Sequence, residues 1–191
     1  MNLYLVRHTT PDIAPGVCYG QSDIEVAESY AHELEVVRSK LAAVKPVAIF
    51  SSPLKRCSQL AEAIASVMCC DVQHDRRLME LHFGDWELLA WNDIPRGLVD
   101  VWADDHVMQA PPSGESFYEL SLRAKDFLQE VSANHVGQNL VVLTHAGVIR
   151  ALLAHALNMK LADSFRLQID YGSITQITVE NDITRVAYVN R

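Results

Sequence analysis

The chain has 191 residues, 49% of them hydrophobic, and its 16 basic and 24 acidic residues give a net charge of −8. This length and the lack of a Gly/Ser/Pro-rich linker predict one domain, residues 1–191. The acidic balance and the absence of a basic run argue against nucleic-acid binding. No stretch approaches the roughly 18 apolar residues of a membrane span, and the apolar start is shorter than a signal-peptide core. We therefore expect a cytoplasmic protein with no membrane contact.

The chain begins with a short apolar strand that ends in two polar residues. Residues 3–6 are apolar and too few for a helix, and Arg7 and His8 follow them directly. Residues 12–23 contain Pro and Gly and are expected to form a long ordered loop beside this pair. Apolar residues then recur every three or four positions from about 27 to 44, which predicts the first helix.

Two later strands are expected to end in the same way. The apolar run 47–50 leads to Ser52 and Pro53, a good N-cap and a good first helical residue, so Arg56 should lie in the opening turn of a helix. The apolar run 140–143 leads to His145, and small residues after it allow a tight turn into another helix. A further short strand is expected near 71–74, and an amphipathic helix should follow the turn at 111–116.

The C-terminal part is expected to return to β structure, with strands at 164–169, 173–179 and 183–189. Asn181-Asp182 suits a tight hairpin, so an antiparallel edge strand is expected near the C-terminus. The alternation of strands and helices before it predicts an α/β three-layer sandwich, with a mostly parallel central sheet and helices on both faces. In such sheets ligands bind at the carboxyl ends of the strands.

This rule brings four cationic or imidazole side chains to one rim: Arg7, His8, Arg56 and His145. Guanidinium groups bind phosphate oxygens, and a neutral imidazole can attack phosphorus. Phosphoryl transfer needs positive charge on the oxygens, which Arg7, Arg56 and His145 could supply, and a nucleophile, which His8 could supply. The second ring nitrogen of His8 must then be held protonated by an acceptor, which the sequence does not identify.

The third requirement is an acid for the leaving alcohol. Glu80 is set among apolar residues between 78 and 86, and apolar surroundings favour a protonated carboxyl group. Glu115 and Asp85 are alternatives, depending on which of them folds over the pocket. Residues 86–112 are expected to form a partly helical excursion that carries substrate selectivity.

Four segments, in this order, resemble the histidine phosphatase superfamily, which includes the phosphoglycerate mutases. They are Arg7-His8 after a strand, Ser51 to Arg56 at a helix start, Leu78 to Glu87, and Thr144 to Gly147; the turn at 112–116 fits as well. The resemblance covers roughly residues 2–155. It implies His8 as the phosphorylated nucleophile, Arg7, Arg56 and His145 as phosphate ligands, Glu80 as proton donor, and no metal or organic cofactor.

Arg7-His8-Thr9 together with the loop 16–23 is most similar to the α-ribazole phosphatase branch of that superfamily. The resemblance implies a small-molecule substrate, α-ribazole 5′-phosphate, which is dephosphorylated in the assembly of the nucleotide loop of cobalamin. Further candidate contacts to the substrate or its phosphate are Thr9, Tyr19, Gln21, Ser22 and Ala146. Thr9 stands where the family has glycine; its β-branch disfavours a positive φ, and its hydroxyl could bind the phosphate.

Several alternatives remain. A phosphoglycerate mutase must hold a second phosphate, which the acidic residues between 85 and 105 match poorly. A broad-specificity sugar phosphatase is also compatible, whereas a catalytically silent binding module should have lost one of the five site residues. The other histidines lack metal-site spacing. Cys70 and Arg76 have the C-x5-R spacing of cysteine phosphatases, but the segment between them has no glycine and two carboxylates. A homodimer is left open.

Overall fold

The computed structural model describes residues 1–181 and 183–191, and in them six strands form one sheet. The strands are β1 (Asn2–Arg7), β2 (Ala48–Ser51), β3 (Val72–His74), β4 (Asn139–Thr144), β5 (Ile174–Glu180) and β6 (Ile183–Tyr188). Their order is β3-β2-β4-β1-β5-β6. β1 to β4 are parallel, β5 pairs antiparallel with β1, and β6 pairs antiparallel with β5. The predicted α/β sheet, mostly parallel with an antiparallel edge near the C-terminus, is confirmed.

The α-helices of the described chain are α1 (Tyr30–Leu41), α2 (Lys55–Met68), α3 (Arg96–Asp104), α4 (Phe117–Asn134) and α5 (Ala146–Leu157). They cover both faces of the sheet, because β4 alternates its side chains between two cores. Leu140 and Val142 pack with α4 and α5, while Val141 and Leu143 pack with α1 and α2. A strand buried on both faces must be apolar throughout, which explains the unbroken apolar run 140–143.

The register of the central strands sets up the site. Arg7 at the end of β1 is level with Thr144 of β4, and Ser51 of β2 is level with Leu143. The residues that follow the three strands therefore emerge side by side at one rim of the sheet. The bond from the His8 N–H to the Thr144 carbonyl, at 3.1 Å, keeps the chains together just beyond the strands.

Two predictions of local structure are wrong. The expected strand 164–169 is not formed: residues 164–166 belong to a 3-10 helix, Leu161–Arg166, and residues 167–169 are irregular. The Ser164 hydroxyl donates to the Leu161 carbonyl at 2.6 Å and closes a local turn there. The second error concerns the start of α2. This helix begins at Lys55 with Leu54 as its N-cap, because the Ser52 hydroxyl lies 2.9 Å from a ring nitrogen of His145.

Other boundaries are close to the prediction. The first helix is shorter than the predicted 27–44, and the excursion 86–112 contains α3. The Asn181-Asp182 prediction falls partly on Asp182, which lies outside the described residues; the pairing of Glu180 with Ile183 beside it is antiparallel. Within the described chain, no helix is both long and apolar enough to cross a membrane.

Candidate active site

The rim at the ends of β1, β2 and β4 brings the predicted imidazole and guanidinium groups together. His8, Arg56 and His145 are almost wholly buried, and Arg7 is half-buried. The His8 and His145 ring centroids are 5.0 Å apart. Among the described residues, neither Arg7 nor Arg56 forms an ion pair with a carboxylate, so both guanidinium charges are available to an anion.

The local hydrogen bonding of His8 identifies the acceptor that the sequence left open. Its Nδ1 lies 2.7 Å from the carbonyl oxygen of Thr9, so Nδ1 carries the proton and donates it. Burial holds the pKa of His8 well below its usual range, and the charges of Arg56 and Arg7 lower it further. The ring is therefore neutral, and its Nε2 lone pair is available for attack.

The two arginines are held by backbone carbonyl groups. Arg56 donates its terminal N–H groups to the carbonyls of Gly20, at 2.6 Å, and Ser22, at 2.9 Å. Arg7 donates to the carbonyl of Ile169 at 2.6 Å. Among the described residues, the buried Nε atoms of both arginines and the Thr9 hydroxyl have no hydrogen-bond partner. A buried donor without a partner costs about 1–3 kcal/mol, and a bound phosphate oxygen would remove that cost.

His145 is fixed by residues of β2 and α2. Its Nε2 lies 2.9 Å from the Ser52 hydroxyl and 3.5 Å from the Cys57 sulfur. Burial lowers the pKa of His145, and the charge of Arg56 lowers it further. His145 is therefore neutral, and the positive charge of the site comes from the arginines.

Glu80 lies at the rim next to the start of α5. Its carboxylate accepts the N–H groups of Leu81, at 2.9 Å, and Gly147, at 3.3 Å. A Cβ atom at position 147 would lie only 2.3 Å from Glu80 Oε1, so the small residue after Ala146 is what lets the carboxylate approach the helix. Ala146 itself is buried as the first residue of α5.

The two alternative acids are placed differently. Glu115 forms an ion pair with Arg123 and also accepts the His82 N–H at 3.0 Å, so its carboxylate is engaged within the protein. Asp85 is exposed in a short 3-10 turn, Gly84–Trp86. Of the three carboxyl groups, Glu80 is the one that adjoins the turn after His145.

The loop 19–22 is organised by a carboxylate that sequence reasoning missed. Glu87 accepts the N–H groups of Gln21, at 2.8 Å, and Ser22, at 2.6 Å, as well as the Ser22 hydroxyl. The Gln21 amide donates to the Glu80 carbonyl at 2.9 Å. The side chains of Gln21 and Ser22, predicted to contact the substrate, are thus used to hold the loop against the Glu80 segment.

Thr9 and the aromatic residues complete the site. Thr9 is buried and does not have a positive φ, so its β-branched side chain causes no backbone strain of the kind that favours glycine. Tyr19 lies over Arg56, with 5.1 Å between the guanidinium carbon and the ring centroid. Tyr171, which no sequence pattern indicated, lies over Arg7 at 3.7 Å. The only sequence signal near Tyr171 is the turn-forming Asp170 and Gly172 on either side of it.

Comparisons with known proteins agree with this geometry. A family model for the histidine phosphatase superfamily (branch 1) matches residues 3–191. The chain is 31% identical over 157 residues to the metal-independent phosphoserine phosphatase of Arabidopsis thaliana, an alignment that covers 78% of this chain and 66% of that protein. It is 25% identical over 194 residues to the adenosylcobalamin/alpha-ribazole phosphatase of Escherichia coli (strain K12), covering 100% of this chain and 96% of that protein.

A solved structure supports the same assignment. The structure of a mycobacterial glucosyl-3-phosphoglycerate phosphatase superposes with a TM-score of 0.88 at 26% identity, covering 99% of this chain and 98% of the other. The family model spans nearly the whole chain, and these relatives are named as phosphatases. The chain therefore belongs to branch 1 of the histidine phosphatase superfamily and is a phosphatase of that family.

Proposed function

We propose that this phosphatase hydrolyses a small phosphate monoester through a phosphohistidine at His8, and that its substrate is α-ribazole 5′-phosphate. The observation that carries the first part is the state of His8: buried, neutral, and with Nδ1 tied to a carbonyl oxygen 2.7 Å away. A buried neutral imidazole between two arginines is suited to attack a phosphate whose charge the arginines stabilise.

In the first step, Nε2 of His8 forms a bond to phosphorus and the ester P–O bond breaks. Arg7 and Arg56 bind the phosphoryl oxygens through the Nε–H groups that otherwise lack a partner, and His145 donates a hydrogen bond. We assign Glu80 as the acid that transfers its proton to the leaving alcohol oxygen, because its carboxylate lies at the start of α5 next to His145. The products are the free alcohol and phosphorylated His8.

In the second step, water attacks the phosphorus and the N–P bond breaks. Glu80, now a carboxylate, takes a proton from the water and is restored to its acid form. Inorganic phosphate leaves, and His8 returns to its neutral state. Water is the only reactant that this cycle needs besides the monoester.

Two observations support α-ribazole 5′-phosphate. The loop 16–23 has the sequence that resembles the α-ribazole phosphatase branch, and this loop supplies both carbonyls that bind Arg56. The Escherichia coli relative named for this activity matches the chain from end to end. Phosphoserine is the second candidate, because relatives named as phosphoserine phosphatases are equally close to this chain.

The test is turnover of a substrate panel in excess chelator: α-ribazole 5′-phosphate, phosphoserine, 3-phosphoglycerate and 4-nitrophenyl phosphate. We expect the highest kcat/KM for α-ribazole 5′-phosphate, no turnover in His8→Ala, and an acid-labile phosphoenzyme in the wild type after rapid quenching. His32→Ala, which removes an exposed histidine on α1, is the matched control and should keep full activity. Unchanged turnover in His8→Ala would overturn the phosphohistidine mechanism; a preference for phosphoserine would overturn the substrate.

A further inference from the structure

Two tyrosines meet above the phosphate-binding groups. The Tyr19 and Tyr171 hydroxyl oxygens are 3.1 Å apart, and each ring lies over one of the two site arginines. The Tyr171 ring centroid is also 5.4 Å from that of His8. The pair therefore bridges Arg7 and Arg56 on the solvent side of the nucleophile.

The backbone around Tyr171 ties this residue to the end of β1. The next residue, Gly172, donates its N–H toward the carbonyls of Arg7 and His8, both at 3.2 Å. The Gly172 carbonyl in turn accepts from Lys40 at 3.0 Å. Tyr171 is 38% exposed, so its ring is both anchored to the nucleophile strand and open to solvent. This combination is expected of a residue that touches a bound substrate.

Tyr19 is placed by the same loop that holds Arg56. The Ser22 N–H donates to the Tyr19 carbonyl at 2.7 Å, and Arg56 binds the carbonyl of the next residue, Gly20. Burial raises the pKa of Tyr19, and the hydrogen bond to Tyr171 raises it further, with a contribution from the nearby Glu80 charge. The phenol is therefore neutral, and its hydroxyl is hydrogen-bonded to that of Tyr171.

The chemistry of the pair indicates what it can bind. One hydroxyl hydrogen is used in the bond between the two oxygens, which leaves one O–H donor and several lone pairs for a ligand. Neutral hydroxyl groups and two aromatic faces suit an uncharged alcohol that carries several hydroxyls, such as a ribosyl group. A carboxylate has no hydrogen to donate to those lone pairs and can use only the one remaining O–H, so an alcohol with several hydroxyls matches the pair better.

We infer that Tyr19 and Tyr171 form the subsite for the leaving group and select monoesters of neutral, polyhydroxylated alcohols. This inference rests on the proposed function, since it assigns the alcohol side of the same phosphate site. Arg150 is the competing residue: it follows Gly147, which binds Glu80, by one turn of α5, donates to the Leu167 carbonyl at 3.2 Å, and would favour an acidic leaving group instead.

The experiment compares Tyr19→Phe and Tyr171→Phe, which keep the rings and remove only the hydroxyls. The readout is the ratio of kcat/KM for ribose 5-phosphate to that for 4-nitrophenyl phosphate. Loss of one neutral hydrogen bond should lower this ratio about 3- to 10-fold, mainly through KM. The double variant should lose less than the product of the two single effects, because the hydroxyls share one bond. Tyr118→Phe, an exposed tyrosine of α4, is the matched control with an unchanged ratio.

An unchanged ratio in both single variants would overturn the subsite. So would a wild-type preference for phosphoserine over ribose 5-phosphate that disappears in Arg150→Gln. A binding measurement tests this inference independently of the proposed catalytic function. Calorimetry of ribose 5-phosphate on His8→Ala, with and without Tyr171→Phe, should show about 3- to 10-fold weaker binding in the double variant, whether or not the wild type turns over. Equal affinity overturns the subsite, whereas absent turnover by the wild type overturns the proposed function alone.

Discussion

Replacing Arg123 of α4 with glutamine is expected to destabilise the fold and to impair proton donation by Glu80. The Arg123 side chain is 19% exposed and donates to the carbonyls of Arg77 at 2.7 Å, Met79 at 2.6 Å and Glu80 at 3.0 Å. It also pairs with Glu115. One guanidinium group therefore holds the segment that leads into Glu80, the proposed acid.

The magnitude follows from these contacts. Arg123→Gln loses most of three bonds to carbonyls, each with a net contribution of about 1 kcal/mol, and leaves Glu115 without its cation. Removing one partner of a fully buried pair costs about 3–5 kcal/mol, and this pair is one-fifth exposed, so its share is smaller. We expect the free energy of unfolding to fall by about 3–4 kcal/mol, and by about 2 kcal/mol for Arg123→Lys, which keeps the charge.

The catalytic effect should depend on the leaving group. If the Glu80 carboxyl group is displaced, the alcohol that needs a proton suffers most, so kcat should fall about 10- to 100-fold for an alkyl phosphate and much less for 4-nitrophenyl phosphate. The assays are urea denaturation and a series of phosphates with leaving groups of different pKa. Arg96→Gln, an exposed ion-paired arginine of α3, is the control with less than about 0.5 kcal/mol of change. Equal loss of kcat across the series would refute the positioning argument.

Three further predictions concern the site. Because the folded-state pKa values of His8 and His145 are lowered, the unfolded chain binds more protons below pH 6.5, so stability should decrease as pH falls from there, by up to about 1.4 kcal/mol per pH unit for each histidine. Urea titrations between pH 7.5 and 5 measure this slope, and His8→Asn should reduce it. Gly147→Ala places a Cβ atom 2.3 Å from Glu80 Oε1 and should lower kcat about 10-fold on alkyl phosphates; an undiminished kcat would contradict the placement of Glu80. Ser52→Ala removes the 2.9 Å contact to His145 and should weaken inhibition by inorganic phosphate several-fold, as measured by its inhibition constant.

The part of the site that could be predicted is the part fixed by topology. Short apolar runs before His8, Ser52 and His145 identify strands, and parallel strands place their carboxyl ends at one edge. The register bears this out, since Arg7 and Thr144 are level in adjacent strands. The apolar pattern, together with the rule that ligands bind at the carboxyl ends of parallel strands, is therefore enough to place residues that come directly after a strand.

The rest of the site depends on loop paths and long-range partners, which leave no periodic signal. Tyr171 reaches Arg7 because the turn after residue 169 bonds back to β1. Glu87 and Arg123 bind backbone groups of distant segments. Because every residue carries such backbone groups, the sequence contains no partner side chain that would identify these contacts. The false strand at 164–169 has the same origin, because a local serine bond decided the conformation there.

Thr9 shows how the backbone can accommodate a departure from the family pattern. The group that orients His8 is the Thr9 carbonyl, which any residue provides, so the position constrains the backbone rather than the side chain. With no positive φ at Thr9, the β-branch has no steric penalty of the kind that would demand glycine. The buried hydroxyl then lacks a protein partner, as do the Nε atoms of Arg7 and Arg56. These three unpartnered polar groups lie around His8, and a ligand with several oxygens could satisfy them together, which is the preorganisation that the proposed phosphate site requires.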